Sequence, residues 1–291
     1  MQKNRFARLI IPGIIFLLLI TIGCAAKKQA WGDLQSGLIL KYRFPQGKTL
    51  TYKSSSDAAQ NVEAMGQSIK TTIKSDGNYS IKGTGVDDQN NLMVQVTIND
   101  INISINSPQG NINPDTSGLK GKSFNATHSP NGKQLKTAGI EDLPKIVLAP
   151  GTERDIKDSF EGILPRLPDT AIKAGESWTT PIDKNIKQGQ IAITLKGEGT
   201  SLLEGFETIQ GMECVRIKSQ SKSTIEGSGT QMGQELNLKG DVTAATTWYF
   251  AYKKGILVKL TSDVSEDIKI NIGAMEIPQT SKSKVELELV L

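Results

Sequence analysis

Long runs in which apolar and polar residues alternate are the feature that most constrains how this chain folds. Between residues 69 and 82 the odd positions carry isoleucine, tyrosine or small residues, whereas the even positions are charged or polar. A second run, 256–272, places seven apolar residues on one face, with Ser262 and Glu266 as its only polar intrusions. Successive side chains of a strand point to opposite faces, so both runs predict long, half-buried antiparallel strands.

The alternation changes phase once, between residues 92 and 105. Apolar residues occupy even positions up to Ile98 and odd positions from Ile101 onward. A one-residue slip turns every following side chain to the other face, so this change predicts a β-bulge or sharp bend near Asn99 and Asp100. We therefore expect the sheet to curve there.

One segment in the middle of the chain follows a helical period instead. Thr152 is a candidate N-cap for a short amphipathic helix that begins at Glu153 and ends before Pro165. The less regular stretch 140–148 suggests another helical turn. The predicted fold is thus mainly β, a long curved antiparallel sheet forming a half-barrel, barrel or sandwich, with one or two short helices near the middle of the chain.

The first 24 residues have the organisation of a bacterial lipoprotein signal. Three basic residues precede an apolar run, 9–22, which is followed by Gly23 and Cys24. We predict that 1–23 is a signal peptide and that Cys24 becomes the lipidated N-terminus, anchoring the protein through fatty-acyl chains. An uncleaved signal anchor or an ordinary secretory signal is the alternative. The expected location is the cell envelope, on the periplasmic or extracellular side, and the outer membrane if the source is diderm.

The rest of the chain is predicted to be a short tether and one β-rich domain. Residues 24–36 are small, polar and basic, and indicate a flexible tether before a domain at 37–291. Met-Gly-Gln occurs at 65–67 and again at 232–234, each time before an alternating run. This echo suggests two similar halves, 37–137 and 170–291, joined by the helical segment 138–169. A chance match of three residues is the alternative.

The charge balance argues against nucleic-acid binding. The chain has 34 Lys and Arg against 30 Asp and Glu, and three of the basic residues precede Cys24, which leaves 31 against 30. The remaining charges of both signs are evenly mixed, so no basic surface is expected.

The residues that serve nucleophilic or metal chemistry are scarce. His128 is the only histidine and precedes a Pro-Asn-Gly turn, which suggests an exposed loop side chain. Cys214, the only cysteine besides Cys24, lies in a strand-like stretch and is expected to pack as a small buried hydrophobe. We predict no catalytic residues, no metal, no cofactor and a non-enzymatic protein.

The predicted strands present more apolar surface than one short helix covers. A strand of 17 residues is roughly 55 Å long at about 3.3 Å per residue, whereas a helix of a dozen residues spans about 18 Å. A curved sheet with an open apolar face suggests a binding surface for a lipid or another apolar ligand. The alternative is an envelope structural or interaction module whose interior is packed by its own side chains.

Several short motifs resemble an uncharacterised bacterial lipoprotein family, a domain of unknown function. They are Tyr42-Arg43-Phe44-Pro45, Gly47-Lys48, Tyr52, Leu164-Pro165, Ala174-Gly175-Glu176-Ser177-Trp178, Gly211 with Cys214 and Ile217, and Tyr249-Phe250 with Tyr252, Gly255 and Leu257. The resemblance covers most of the chain after Cys24 and implies no functional residues. More distantly, the predicted architecture resembles the half-barrel of lipoprotein carriers, which bind acyl chains.

Overall fold

Strands dominate the computed structural model, which describes residues 31–64, 66–149, 152–160, 162–188, 190–231 and 233–291. About 71% of the described residues are in strands and 2% are in helix. A 3₁₀ turn at Ser117–Leu119 and one α-helix, α1 at Lys157–Phe160, interrupt the described strands. These strands are β1 Gly32–Asp33, β2 Gly37–Leu38, β3 Thr49–Ala64, β4 Gln67–Val86, β5 Leu92–Ser107, β6 Gly110–Ile112, β7 Ser123–His128, β8 Gln134–Ala138, β9 Ile146–Ala149, β10 Thr152–Arg154, β11 Ser177–Gln188, β12 Ile191–Ile209, β13 Met212–Gln231, β14 Gln234–Ala251, β15 Ile256–Ile272 and β16 Met275–Val290.

Twelve of these strands form one antiparallel sheet, the main sheet. Its order is β11-β12-β13-β14-β15-β16-β3-β4-β5-β7-β8, with β6 paired to β5. The last long strand, β16, pairs with the first, β3, and so joins two meanders that are far apart in sequence. The sheet is curved and open, with β11 and β8 at its edges. The predicted mainly β, curved antiparallel fold is confirmed, and a closed barrel is excluded.

The predicted bulge in β5 is also confirmed. Asn78 pairs with Asp100, but the next residue, Tyr79, pairs with Ile98, so that Asn99 is left over in β5. The Asn99 amide donates to Asn78 Oδ1 at 2.9 Å and to Ser80 Oγ at 2.8 Å. The extra residue keeps the apolar side chains on both sides of it on one face.

The main hydrophobic core lies at one end of the main sheet, which we call the covered end. Segments outside the long strands pack there, and their buried members include Leu40, Phe160 and Leu167. Phe160 packs edge-on against Tyr79 of β4 with ring centroids 5.7 Å apart. Trp178 likewise meets Trp248 at 6.2 Å.

The extended segment 38–44 crosses the covered end and connects both meanders. Leu38 bridges Ile172, Tyr42 N donates to the Pro130 carbonyl at 2.7 Å, and Arg43 N donates to the Gly255 carbonyl at 2.8 Å. Apolar residues alternate along this segment, as expected for a strand, but only Gly37–Leu38 forms a ladder.

The predicted helix over 153–164 is wrong in extent, although its apolar positions are buried. Residues 152–154 instead form β10, which pairs with β9 in the stretch where a further helical turn was expected. The helix is limited to four residues, and the Asp155 carboxylate accepts the Lys157 N–H at 2.9 Å at its start. Ile156, Phe160 and Leu164 are nevertheless buried, because each inserts into the core of the covered end.

The described start of the chain is more ordered than a flexible tether. Gly32 and Asp33 pair with Leu38 and Gly37, and the Asp33 carboxylate accepts the backbone N–H groups of Gln35 and Ser36. Residues 31–36 of the predicted tether thus include a short hydrogen-bonded turn, while 24–30, Cys24 and the predicted signal peptide lie outside the described residues. Within the part of the chain that is described, no helix has the length and apolar character needed to cross a membrane.

Candidate functional site

The open half of the main sheet carries apolar side chains that belong to no packed layer. We define the inner face as the face that contains Tyr79, Trp248 and Ile268, and the open half as the part between the covered end and the hairpin turns at Gly66, Gly233 and Gly273. The core cluster ends before the tips of these hairpins. Apolar residues of the open half on this face include Val62, Ile69, Ile73, Ile105, Ile182, Ile186, Ile191, Ile193, Leu195, Ile225, Leu236, Leu238, Val242, Val264, Ile268, Ile270, Ile272, Met275 and Ile277.

Curvature shelters this surface from one side. Ile193, Leu236 and Ile268 are each under 10% exposed, although they lie outside the core cluster. Side chains on neighbouring strands therefore cover them, as expected on the hollow side of a curved sheet. Glycines allow the bend: a Cβ at Gly240 would lie 2.1 Å from the Asp267 carbonyl oxygen, and one at Gly197 would lie 2.1 Å from that of Lys222.

A belt of small hydroxyl-bearing residues separates the core from the apolar tips. Ser201 Oγ lies 2.8 Å from Ser219 Oγ, and Trp248 Nε1 donates to Ser219 Oγ at 2.9 Å. On the next strand pair, Thr246 Oγ1 lies 2.8 Å from Ser262 Oγ. These hydroxyls satisfy one another across strands, so the belt is polar without being charged.

Glu266 is the exception on this face. It lies at the centre of β15, between Val242 of β14 and Ser281 of β16, and is partly buried. Among the described residues, Lys184 on the edge strand β11 is the only other charged side chain on the inner face of the open half. Burial raises the pKa of Glu266, because the uncharged form is easier to remove from water.

The outer face of the main sheet is polar and charged. It has two shallow depressions, one of about 440 Å³ lined by carboxylates such as Asp76, Asp100 and Glu286, and one of about 640 Å³ that includes Lys196 and Lys239. Within the described ranges, no group of three or more His, Cys, Asp or Glu side chains is arranged to hold a metal ion.

The structure corrects the prediction for His128. This residue ends β7 and is 2% exposed, instead of lying in an exposed loop. The turn that follows it is covered by segment 38–44 and by Leu167, whose N–H donates to the Asn131 carbonyl at 2.9 Å. Burial lowers the pKa of His128, and a hydrogen bond with the backbone of Gly132 opposes this in part.

The packing prediction for Cys214 is confirmed. Its side chain is completely buried, and the thiol lies 3.4 Å from the Met212 carbonyl oxygen. Burial raises the pKa of the Cys214 thiol to about 11, so it is uncharged at neutral pH. Cys24, the predicted lipidation site, lies outside the described residues.

The residues that carry the family resemblance meet at the covered end. Tyr42 packs edge-on against Phe250 at 5.1 Å, and its hydroxyl donates to the Pro165 carbonyl at 2.9 Å. The Tyr52 hydroxyl donates to the Leu257 carbonyl, also at 2.9 Å. These motifs hold the segments of the covered end onto the sheet, which is a structural role.

Comparisons with known proteins leave the family open. No protein-family model and no curated protein sequence matches the chain. A structure of lipovitellin, described under lipid-protein interactions, aligns with 86% of this chain at 12% identity and a TM-score of 0.48, and the chain spans 26% of its length. An outer membrane channel from Pseudomonas putida F1 aligns over 86% of this chain and 98% of its own, at 8% identity and a TM-score of 0.30. A DUF1329 family protein from Desulfovibrio piger ATCC 29098 aligns over 79% and 83%, at 12% identity and a TM-score of 0.18. Likenesses this weak carry no functional inference.

Sequence reasoning located part of this site. The alternation in 256–272 placed Glu266 among apolar residues as a polar intrusion, but it did not identify this residue as a candidate binding residue. The signal that was missed is the register of β14 and β16, which puts Val242 and Ser281 on either side of the carboxylate.

Proposed function

We propose that this protein is a membrane-anchored, non-enzymatic lipoprotein of the cell envelope that binds a lipid or another amphiphile on the inner face of the open half. The observation that carries the proposal is the band of isoleucine and leucine side chains near the hairpin turns, which lies outside the core cluster. Covering roughly 200 Å² of such apolar surface contributes about 5 kcal/mol at about 25 cal/mol per Å². An acyl tail is an occupant of suitable shape and chemistry for this surface.

The non-enzymatic part of the proposal is supported by the placement of two residues. His128 and Cys214 have the side chains best suited to base or nucleophilic chemistry, and both are buried in the covered end. Their shifted pKa values keep the imidazole neutral and the thiol protonated at neutral pH. A substrate on the open half does not reach either group.

Binding is tested with a double variant of a cross-strand pair on the inner face. Ile270 lies opposite Ile277, and neither is completely buried, so Ile270→Asn with Ile277→Asn removes apolar contact without opening the core. We expect affinity for a fluorescent acyl probe with an uncharged headgroup to fall at least tenfold. Lys269→Asn, on the exposed outer face of the same strand, is the matched control and retains binding.

Mass spectrometry of the natively extracted protein gives an independent test. We expect a lipid to co-purify with the natural protein and to be lost from the double variant. Recovery of no lipid, together with equal binding of the uncharged acyl probe by all variants, would rule out this function. It would favour the alternative of an envelope structural or interaction module without a ligand.

The anchor is tested separately from the binding surface. We expect Cys24→Ser to abolish incorporation of a palmitate analogue and to leave the signal uncleaved or release a soluble form. Unchanged labelling of this variant would contradict lipidation at Cys24. Fractionation of labelled cells then shows whether the protein is in the envelope and, in a diderm source, in the outer membrane.

A further inference from the structure

We propose that Glu266 recognises the headgroup of the bound amphiphile and that this headgroup carries a positively charged ammonium group. The inference rests on the proposed function, because it requires the inner face of the open half to be the binding surface. It adds the chemical class of ligand and the residue that selects it.

The surroundings of Glu266 leave its charge uncompensated. No group among the described residues hydrogen-bonds or pairs with this carboxylate. Directly across the two neighbouring strands lie Val242 and Ser281, and along its own strand the inner face continues with Val264 and Ile268. A partly buried carboxylate without a partner destabilises a protein unless a donor or a cation is supplied.

Lys184 does not supply that cation. It lies on β11, four strands away in the main sheet, and it has interactions of its own. Its ammonium group is close to Gly162, where a Cβ would lie 3.5 Å from Nζ. Among the described residues no cation therefore lies beside Glu266, and a bound cationic group would complete the pair.

The position of Glu266 along the strand matches an amphiphile with a cationic end. Toward the covered end the inner face continues into the hydroxyl belt, which tolerates the polar part of a headgroup. Toward the hairpin turn, Ile268, Ile270 and Ile272 follow, and the last of them lies about 20 Å from Glu266 at about 3.3 Å per residue. A tail placed over these residues puts an ammonium at its end next to the carboxylate, where a charge-assisted hydrogen bond forms in a setting sheltered from water.

Three single-chain amphiphiles with the same tail and different headgroups test this proposal. Dodecylammonium, dodecyl sulfate and dodecyl maltoside are titrated, each below its micelle concentration, into the full-length protein held in an amphipathic polymer free of small surfactants. Because burial raises the pKa of Glu266, the titration is done at pH 8, well above the ordinary range of a carboxyl group. We expect dodecylammonium to bind at least tenfold more tightly than the other two.

Two variants assign the preference to one residue. Glu266→Gln keeps the size of the side chain and removes its charge, so we expect the preference for dodecylammonium to disappear while dodecyl maltoside binds as before. Asp267→Asn changes a carboxylate on the exposed outer face of the same strand and is expected to keep the preference. Glu266→Gln is also expected to melt at the same temperature or higher, because an amide is easier to bury than a carboxylate.

The possible results distinguish headgroup recognition from binding to the apolar surface itself. Equal binding of the three amphiphiles, or a preference that survives Glu266→Gln, overturns headgroup recognition and leaves the apolar surface intact. Binding of none of them overturns the proposed function itself. A lower melting temperature for Glu266→Gln shows a structural role for the carboxylate and also overturns the inference.

Discussion

The imidazole of His128 links the packing of the covered end to pH. Burial lowers its pKa in the folded protein, whereas the unfolded chain titrates near the ordinary value of about 6.5. Above that pH both states are neutral, and the contribution of His128 to stability is fully present. Below it the unfolded chain binds a proton that the folded protein excludes, so stability is lost as the pH falls.

The lowered pKa of His128 predicts that acid destabilises the folded protein. One substitution should remove this pH dependence. We expect the free energy of unfolding of the natural protein to fall between pH 7 and pH 5 by at most about 1.4 kcal/mol per pH unit from this group. His128→Phe should lack that component, as measured by urea unfolding at pH 7, 6 and 5. The raised pKa of Glu266 acts in the opposite direction but is common to both proteins, so their difference reports His128. Identical pH dependence of the two would contradict this account.

At the scale of elements, the bulge at Asn99 keeps both parts of β5 facing the same way. Ile98 and Ile101 are three positions apart, yet both lie on the inner face, because Asn99 is left out of the pairing. Removing Asn99 restores a simple alternation and leaves both isoleucines facing inward. Removing Asn102 instead turns Ile103 and Ile105 to the outer face.

Two deletions therefore have different predicted costs. We expect loss of Asn99 to lower the free energy of unfolding by roughly 1 to 3 kcal/mol, the amount associated with its two side-chain hydrogen bonds. Loss of Asn102 should cost more, because two apolar side chains move into water. Thermal and urea unfolding of both variants measures the difference, and equal stabilities would refute the assigned register.

Sequence analysis found the elements that are determined by a pattern within one segment. It missed those that depend on contacts between segments distant in sequence. Each of the alternating runs 69–82 and 256–272 lies within a single strand. The strands and the bulge in β5 were therefore predictable. The segment 153–164 has buried apolar positions in a helical period, but the pairing of β10 with β9 determines its backbone. His128 was misplaced for the same reason, since the covering of its turn comes from residues distant in sequence. Likewise, the alternation placed Glu266 on the inner face, whereas its unpaired state depends on β14 and β16.

At the scale of the whole molecule, the same long strands pass through two different environments. At the covered end, Trp248, Phe250 and Leu203 are almost fully buried, and segments outside the long strands pack there. In the open half, no other described segment joins the core cluster on the inner face, where the curvature of the sheet brings side chains of neighbouring strands together. Elements with fewer buried apolar contacts open at lower free energy, so the hairpin tips should open without unfolding of the core.

Hydrogen exchange along single strands measures this division. In β14 and β15, backbone amides near Trp248 and Leu257 are expected to exchange only by global unfolding, whereas those near Leu238 and Ile270 exchange at least tenfold faster. Binding of dodecylammonium should slow exchange at the second group and leave the first unchanged, because the ligand covers only the open half. Uniform protection along both strands would show that the sheet unfolds as one unit. Protection that the ligand raises only near Trp248 would place the binding surface at the covered end.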